Sequence, residues 1–462
     1  MKRRNFIQAA WTTVLAAGMP GHGLTWAVPG KREDKVPSSP TSISLPNVGA
    51  QIAGVSFEEH RADLYDRMFN RFLPFWEKGG CDRELGGIMC ELDDNGSVVD
   101  DQKYIWYQGR SLWVYSYLYN NFGRKPEWLD FARKTRDFMV RYMLKADSHW
   151  REFVDRAGKP IAREGQSDAK DIYGAMFAAA GLFEFYKAAG DEKDLALGKA
   201  SIWKSMKDYD SRDYEGVVVP SINKKGLRTQ GHSFIVVWPL TGLLSFHDDS
   251  ALEKLQAEHV SHIMNDFWNP EYGIVNENLL HDYHGRIPGH EGIMNCGHSL
   301  ETQWMVLYEA LRIKDRSLFD KAVKRIRRLI EMDWDYLHDG WGTGDYYAVG
   351  TKEHCPGPEF DVKTMWAHAE ILVACLAVLE YTGAEWARDF YGRAYAYILE
   401  TMANTEHGVW RQAVDRFGRD VKRDRVSAYR KCNFHQPRTL MLCIQSLDRM
   451  IKNQGRITPF PD

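Results

Sequence analysis

The chain has 462 residues, and its 60 Lys and Arg nearly balance 63 Asp and Glu, leaving a formal net charge of −3. Such a balance excludes bulk electrostatic attraction to nucleic acid or to an anionic membrane. Hydrophobic residues make up 44% and charged residues 27%, as in soluble globular proteins with a large core. The 16 Trp and 22 Tyr are consistent either with a core of large side chains or with a carbohydrate cleft.

The N-terminus has the features of an export signal. A twin arginine, Arg3-Arg4, precedes an apolar stretch from Ala9 to about Leu24, and small residues then offer a cleavage site. This pattern is typical of twin-arginine substrates. We therefore predict a signal peptide at 1–27 and a periplasmic or otherwise exported protein. The apolar stretch is too short to remain as a membrane span.

The rest of the chain is predicted to be one domain, 51–462, after a linker at 28–50 that is rich in Pro and Ser. No other stretch approaches the ~20 apolar residues of a membrane span. Seven scattered cysteines without a CxxC pair predict neither a disulfide framework nor a zinc site. A Cys81–Cys90 bridge stays open, as does the oligomeric state, monomer or homodimer.

Apolar residues recur at helical spacing along this domain. Phe319, Ala322, Ile326 and Ile330, for example, lie on one stripe of a helix whose other side is basic. The pattern predicts twelve helices, at about 56–78, 107–123, 126–145, 169–190, 192–207, 230–247, 250–267, 296–312, 315–332, 362–382, 384–402 and 436–452.

A short motif recurs between pairs of these helices: a glycine or aromatic corner, a β-like run, a polar turn and a second run. The corners fall at positions 87, 150, 216, 273, 340 and 408, which by subtraction are 63, 66, 57, 67 and 68 residues apart. A near-constant period indicates a repeat architecture. Twelve helices and six connectors predict an all-α (α/α)6 toroid of six helical hairpins with β-hairpin connectors at one rim. An open solenoid would have shorter repeats and distinct capping repeats.

Two segments near predicted inner-helix starts carry an arginine and a histidine. In QGRSLW, Arg110 follows a β-like run, where a guanidinium can hold an oxyanion or a carboxylate. In GHSLETQW, His298 and Glu301 are three residues apart and share a helix face. A carboxylate beside an imidazole orients it and raises its basicity. The alternatives are purely structural: Arg110 as a salt-bridged arginine, and His298 with Glu301 as a polar helix start.

Two further segments lie nearer the C-terminus. In WAHAE, Trp366 and Glu370 are four residues apart, as a stacking platform and a hydroxyl acceptor would be. In NFHQPR, Pro437 favours a helix start and places His435 at the mouth of the last inner helix, across the ring from Arg110. The structural alternatives are a core tryptophan for Trp366 and a loop histidine for His435.

Together, these four segments, in this order, resemble the N-acylglucosamine 2-epimerase family, which includes cellobiose 2-epimerases and mannose isomerases. The resemblance spans about residues 51–452 and implies the same toroid. It implies that His298 and His435 are the acid/base catalysts, that Glu301 partners His298, and that Arg110 contacts the sugar oxygens. His232, one repeat earlier, matches a further family histidine. The predicted substrate-binding residues are Tyr104, Trp106, Trp304, Trp366, His368, Glu370 and Arg438.

The implied reaction explains these residue types. A ring-opened aldose has a weakly acidic C2 proton, and its removal forms an enediolate. Two groups that titrate near neutral pH must flank C2 for epimerisation, which suits histidine. Arginine can stabilise the enediolate oxygen. No phosphate loop, dinucleotide fingerprint or metal-ligand spacing is visible, so neither cofactor nor metal is predicted.

Three other functions stay open. An aldose–ketose isomerase of the same family would use the same groups but return the proton to C1. A glycoside hydrolase would need two carboxylates ~5–9.5 Å apart, with Asp168, Asp171, Glu277 and Asp345 as candidates. A non-catalytic sugar-binding protein would need Trp304 and Trp366 but neither histidine. Many family members have two tryptophans where this chain has Met365-Trp366, so the sugar itself is left open.

Overall fold

The computed structural model describes residues 48–161, 171–214, 225–341, 346–348, 362–403, 406–421 and 429–461, with only the backbone of 346–348. The predicted signal peptide, residues 28–47 of the predicted linker and the connector corner at 216 lie outside this part of the chain.

The described residues are mostly helical, and every predicted helix is present within a few residues of its predicted ends. The α-helices are α1 (Phe57–Tyr65), α2 (Leu73–Phe75), α3 (Ile105–Asn121), α4 (Pro126–Phe138), α5 (Ile172–Ala189), α6 (Glu192–Tyr209), α7 (Gln230–Leu244), α8 (Ser250–Ser261), α9 (Cys296–Ile313), α10 (Arg316–Asp333), α11 (Met365–Thr382), α12 (Glu385–Tyr397) and α13 (His435–Lys452). Segments with π-type turns extend α1, α2, α4, α8 and α12: Asp66–Phe72, Trp76–Gly80, Met139–Met143, His262–Asp266 and Ile398–Met402.

Six helices form an inner layer, namely α3, α5, α7, α9, α11 and α13, and each packs against an outer helix. The inner helices α5 and α11 are apolar on nearly all sides, because they are covered by neighbours in both layers. Outer helices bury one stripe only; in α10 this stripe includes Phe319, Ala322, Ile326 and Ile330, as predicted.

The inner helices follow one another around a ring, from α3 to α13. Side chains close the ring between its first and last members. The Tyr117 hydroxyl of α3 donates to Gln445 of α13 at 2.6 Å, and the Asn433 amide donates to the Tyr107 carbonyl at 3.0 Å. The predicted (α/α)6 toroid is therefore confirmed. The ring also puts α13 beside α3, so His435 neighbours Arg110 rather than facing it across the ring.

Short strands at one rim join successive repeats. The strands are β1 (Gln51–Ile52), β2 (Val55–Ser56), β3 (Glu91–Leu92), β4 (Val98–Asp100), β5 (Lys103–Tyr104), β6 (Phe153–Val154), β7 (Arg228–Thr229), β8 (Trp268–Asn269), β9 (Ile274–Val275), β10 (Asn278–Leu279), β11 (Ile293–Asn295), β12 (Tyr346–Ala348), β13 (Val362–Thr364) and β14 (Ala413–Asp415).

Most of these strands pair between connectors rather than within one, which differs from the predicted hairpins. The strand before an inner helix pairs antiparallel with a strand of the next connector, as in β5–β6, β7–β10, β11–β12 and β13–β14. Only β1–β2, β3–β4 and β8–β9 are local pairs among the described strands. A bridge between Glu91 and Arg430 links the first and last connectors. This pairing fixes the start of each inner helix, where the candidate site lies.

Helix α11 is, among the described helices, the one whose length and apolar composition match a membrane span, and 83% of it is buried inside the protein. Its apolar composition is therefore accounted for by its place in the inner ring. Cys81 and Cys90 are buried free thiols, so they form no bridge, and the Cys81 sulfur lies 3.1 Å from the Tyr115 hydroxyl.

Candidate active site

The candidate site lies at the rim where the inner helices begin. His232, His298, Trp366 and His435 fall in the first turn of α7, α9, α11 and α13, and Arg110 falls in the second turn of α3. The N-termini of the helices point to this rim, and they add a partial positive charge that favours a developing anion.

Glu277 holds the His298 imidazole. The Asn295 side chain caps α9 by accepting the His298 N–H at 2.9 Å, which fixes the backbone. The His298 Nδ1 then lies 3.1 Å from Glu277, a buried carboxylate in the connector before α9. The Gln230 amide donates to the other Glu277 oxygen at 3.0 Å. The predicted partner, Glu301, instead accepts from Arg438, so that pairing is corrected.

His435 has an equivalent arrangement on α13. Its Nδ1 lies 2.8 Å from Glu370, a carboxylate with no solvent exposure. A carboxylate that accepts from Nδ1–H leaves the lone pair on Nε2, the nitrogen available for proton transfer. Burial, followed by the nearby Arg438 cation, lowers the pKa of His435 well below its usual value, so this imidazole is neutral at pH 7.

Arg438 lies behind the histidines, joining two carboxylates. Its Nη2 donates to Glu301 at 2.7 Å and to Glu370 at 2.6 Å, and the guanidinium is completely buried. Glu370 also accepts from the Trp304 indole at 2.7 Å. Burial raises the pKa of Glu370, against the opposing effect of Arg438 and these hydrogen bonds. Buried charges of this kind are retained only where they are paired and hydrogen-bonded.

These contacts place three predicted substrate-binding residues beneath the site. Trp304, Glu370 and Arg438 are all buried and bonded to one another, and their ring and charge contacts fix the position of His435. These three side chains therefore support His435 from below.

Trp366 borders both histidines. Its indole centroid is 5.4 Å from the His298 ring and 5.5 Å from the His435 ring. The indole is half-buried, so part of it faces open space. A Cβ at position 297 would lie 2.2 Å from the indole, so only glycine fits beside it. An indole between two imidazoles offers an apolar face to a bound sugar ring.

Arg110 lies among aromatic rings. Its guanidinium carbon is 4.1 Å from the Phe177 ring centroid and 5.2 Å from that of Phe434, the residue before His435. Its Nε is buried without a hydrogen-bond partner, and no described carboxylate forms an ion pair with it. A cation with an unpaired donor beside the histidines can hold an oxyanion.

The predicted residues Tyr104 and Trp106 line the same side of the rim. Their rings stack with centroids 5.3 Å apart, and Tyr104 also stacks on Phe153. The Trp106 indole donates to Asp171, and its ring contacts Phe177, which packs on Arg110. Trp106 is half-buried and Tyr104 is buried, so Trp106 is the more accessible of the two.

His232 is enclosed by tyrosines. Its ring lies 4.8 Å from Tyr173, 5.1 Å from Tyr209 and 5.5 Å from Tyr214. Burial lowers its pKa to about 3, helped by the charge of His298, so it is neutral at pH 7. Its Nδ1 has no hydrogen-bond partner among the described residues. A neutral histidine can donate one hydrogen bond to a sugar oxygen.

The His368 side chain makes hydrogen bonds to the backbone instead of the predicted contact with the substrate. Its Nε2 accepts from the Trp341 N–H at 2.8 Å, and its Nδ1 donates to the Thr364 carbonyl at 2.8 Å. Gln436 does the same on α13, where it accepts from the Trp410 N–H and donates to the Gly408 carbonyl. Both ring nitrogens of His368 are therefore used by the connector.

The sequence model of the family described as N-acylglucosamine 2-epimerase matches residues 86–431. The chain belongs to the N-acylglucosamine 2-epimerase family. Mouse N-acylglucosamine 2-epimerase is 26% identical over 413 residues, which cover 86% of this chain and 93% of the mouse protein. The cellobiose 2-epimerase of Bacteroides fragilis is 20% identical over 410 residues, 84% of this chain and 98% of its own length.

A solved structure with the same fold is the cellobiose 2-epimerase of Bacillus thermoamylovorans B4167. It superposes with a TM-score of 0.70 at 18% identity, covering 85% of this chain and 100% of that chain. Membership of the N-acylglucosamine 2-epimerase family makes the chain an isomerase, and the relatives support a sugar 2-epimerase.

From the sequence, Glu277 is predicted only as a candidate carboxylate of a hydrolase. Its position after a connector strand, in Asn276-Glu277-Asn278, carries no local signal of a histidine 21 residues later. Asp171, another hydrolase candidate, accepts from Trp106. Asp168 and Asp345 lie outside the described residues. The described hydrolase carboxylates are thus engaged by other side chains.

Glu301, Glu370 and His435 bring ligand atoms within 4.8 Å of one another, a grouping that could hold a cation. In this epimerase-family site Arg438 already supplies that positive charge, since it donates to both carboxylates. The cluster is therefore arranged as an ion-paired support for His435.

Proposed function

We propose that this protein is a cofactor-independent sugar 2-epimerase in which His435 and His298 exchange a proton with C2 of a ring-opened aldose. The observation that carries the proposal is that two imidazoles, each with a buried carboxylate on Nδ1, border one indole. Both rings are thereby oriented with Nε2 as the reacting nitrogen.

The site chemistry suits a base and an acid on the two sides of C2. His435 is neutral and can accept the C2 proton through Nε2. The electron pair of the C2–H bond then forms the C1–C2 double bond, and negative charge moves to the C1 oxygen. His298, whose Nδ1 lies 3.1 Å from the Glu277 carboxylate, returns a proton to the opposite face of C2. The reverse reaction exchanges these roles.

Arg110 and His232 are the residues suited to stabilise the oxyanion of the enediolate. The unpaired Arg110 Nε and the helix N-termini favour the developing charge on the enediolate. His232 adds an uncharged donor. Trp366 and Trp106 provide half-buried faces on which the apolar side of a sugar can stack.

The test is proton NMR in heavy water with N-acetylmannosamine, cellobiose, mannose and glucose as separate substrates. We expect deuterium at C2 together with a new epimer for at least one sugar. His435→Ala should abolish both signals, whereas exposed His284→Ala should abolish neither. A ketose product would make the protein an isomerase instead. Absence of exchange from all four sugars, with cellobiose cleaved, would replace the proposal with a hydrolase.

We further propose that residues 1–27 direct export through the twin-arginine pathway, on the basis of Arg3-Arg4 and the apolar stretch after them. A fluorescent reporter fused after Pro29 should reach the periplasm of a bacterium with this pathway. Replacement of both arginines by lysine should retain it in the cytoplasm. Export of both forms would indicate another route, and retention of both would remove the basis for export.

A further inference from the structure

A second cavity lies inside the ring beyond the candidate active site. It has a volume of about 160 Å³ and is lined by α3, α5, α7, α9 and α13 together with Phe246, just after α7. Three tryptophans, Trp113, Trp238 and Trp304, line it at one depth, each eight residues after the start of its helix (105 to 113, 230 to 238, 296 to 304). The histidines lie at the helix starts, so these indoles form the floor between the two spaces.

The lining of this cavity differs from that of the active site. Seven of its fifteen lining residues are aromatic, and none is a lysine or arginine. The one acidic residue is Glu184, which is buried and accepts from the Asn120 amide at 2.7 Å. Burial raises the pKa of Glu184, which favours the uncharged acid. Such a lining disfavours anions and accepts an apolar ring.

Gly242 differs from the other glycines of the inner helices in having open space beside it. The inner helices contain six glycines, and at five of them an added Cβ would lie within 3.0 Å of another atom: Gly109, Gly174, Gly181, Gly231 and Gly297. At Gly242 an added Cβ would meet nothing within 4 Å, although the residue lines the cavity. A helical glycine costs about 1 kcal/mol relative to alanine. Packing does not explain this glycine.

Gly242 also marks the entrance. It is exposed, as is Phe246 four residues later, whereas Leu243 is buried. Position 242 is ten residues beyond His232 on α7, about 15 Å along the helix. The entrance is therefore at the opposite end of the ring axis from the catalytic histidines.

We propose that this cavity is a second ligand site, which binds an uncharged, mainly apolar ring compound with one hydroxyl group, entering beside Gly242. The ring stacks between the indoles of the floor and the aromatic walls. The hydroxyl group pairs with the Glu184 carboxyl, the cavity's acidic group. The site is separate from the sugar site, which lies at the opposite rim.

Calorimetric titration of the full chain with 2-naphthol tests the proposal. We expect saturable binding of one molecule per chain, with 2-naphthoate at least tenfold weaker because no cation lines the cavity. Gly242→Leu should weaken 2-naphthol binding at least tenfold, since its side chain extends into the entrance. Gly242→Ala is the matched control, which gains helix propensity without filling the space and should bind as the wild type does.

Circular dichroism and the epimerisation rate establish whether the two variants are folded. Neither measurement should differ from that of the wild type. Lack of saturable binding by the wild type would overturn the proposal. Equal binding by the wild type and Gly242→Leu would also overturn it, as would competition of 2-naphthol with the sugar, which would place it in the catalytic site. This test does not depend on the proposed function. If the protein showed no epimerase activity in any assay, the binding results could still be interpreted, because they need no turnover.

Discussion

Glu370 of α11, which has no solvent exposure, accepts a hydrogen bond from the Nδ1 of His435 on α13 at 2.8 Å. The bond joins two inner helices and sets which nitrogen of His435 carries the lone pair. Glu370 is itself held by Trp304 and Arg438, so its position is fixed on three sides.

Replacing this carboxylate should remove most of the activity. In Glu370→Gln the amide can present its NH₂ to Nδ1, which favours the wrong tautomer of His435. We expect kcat to fall by up to about 10⁴, the loss seen when the carboxylate behind a catalytic histidine is made an amide, with a smaller change in KM. Steady-state kinetics and C2 deuterium exchange measure this effect.

Glu380 offers a matched control on the same helix. It is also fully buried, and it accepts from Ser446 and Arg449 near the C-terminal end of α11. Glu380→Gln should lower the thermal midpoint but leave kcat nearly unchanged. Comparable losses of kcat in both variants would mean that Glu370 acts through stability alone.

Glu277 should matter more for catalysis than Glu301. Glu277 contacts His298 at 3.1 Å, whereas Glu301 accepts from Arg438, which keeps Glu370 as a second partner. We expect Glu277→Gln to lower kcat by about 10² or more, and Glu301→Gln to lower it less. The two variants can be assayed side by side with one sugar. A larger loss in Glu301→Gln would restore the pairing predicted from helix spacing.

The fold was largely predictable because its signals are local. Amphipathic spacing as in α10, and glycine corners at a constant period, depend on neighbouring residues only. The strand pairing was not predictable in this way. A run such as Lys103–Tyr104 reads as half of a hairpin, but it pairs with Phe153–Val154 in the next repeat. The packing of successive repeats side by side makes that partner available.

The site was predictable for residues at helix starts and less so for their partners. His298 and His435 stand in short motifs, and the structure brings them to one indole. Their carboxylates are 21 and 65 residues away in sequence, on other elements. Helix spacing instead selected Glu301, which does share a helix with His298. Glu301 is instead engaged by Arg438 of α13, and Glu277 of the preceding connector contacts His298.

Arg110 should act on the oxyanion rather than on folding. Its Nε has no partner to lose, so Arg110→Met removes a charge without leaving a carboxylate unpaired among the described residues. We expect kcat to fall by about 10²–10³, as for loss of one oxyanion donor. Arg110→Lys should recover part of the loss, since it keeps the charge but not the fork. Full activity in Arg110→Met would exclude the role, and the thermal midpoint of each variant serves as its control.

His368 should make the fold sensitive to acid. Burial lowers its pKa to about 4 from 6.5, so the unfolded chain binds this proton first as the pH falls. The neutral histidine therefore contributes fully above pH 6.5, and its contribution declines from there down to about pH 4. The loss approaches about 3 kcal/mol in the free energy of unfolding.

His368→Gln should flatten that dependence. Gln436 makes the same pair of backbone bonds on α13, so glutamine suits the position and carries no titrating group. Urea unfolding at pH 7.5, 6.0 and 5.0 should give a smaller decline for His368→Gln than for the wild type. Exposed His284→Gln should keep the wild-type slope. An equal slope in all three proteins would mean that His368 does not titrate in this range.

Gly297→Ala should disturb both histidines at once through Trp366. The new methyl group would lie 2.2 Å from the indole, which must then move away from α9. Because the indole borders both imidazoles, its displacement shifts the bound sugar relative to each base. A misplacement near 1 Å costs about 10² in rate, so kcat/KM should fall by roughly that factor. Gly242→Ala adds the same methyl group to another inner helix, where it meets nothing within 4 Å, and should keep full kcat/KM. If the two alanine variants were equally active, the indole would have no part in positioning the substrate.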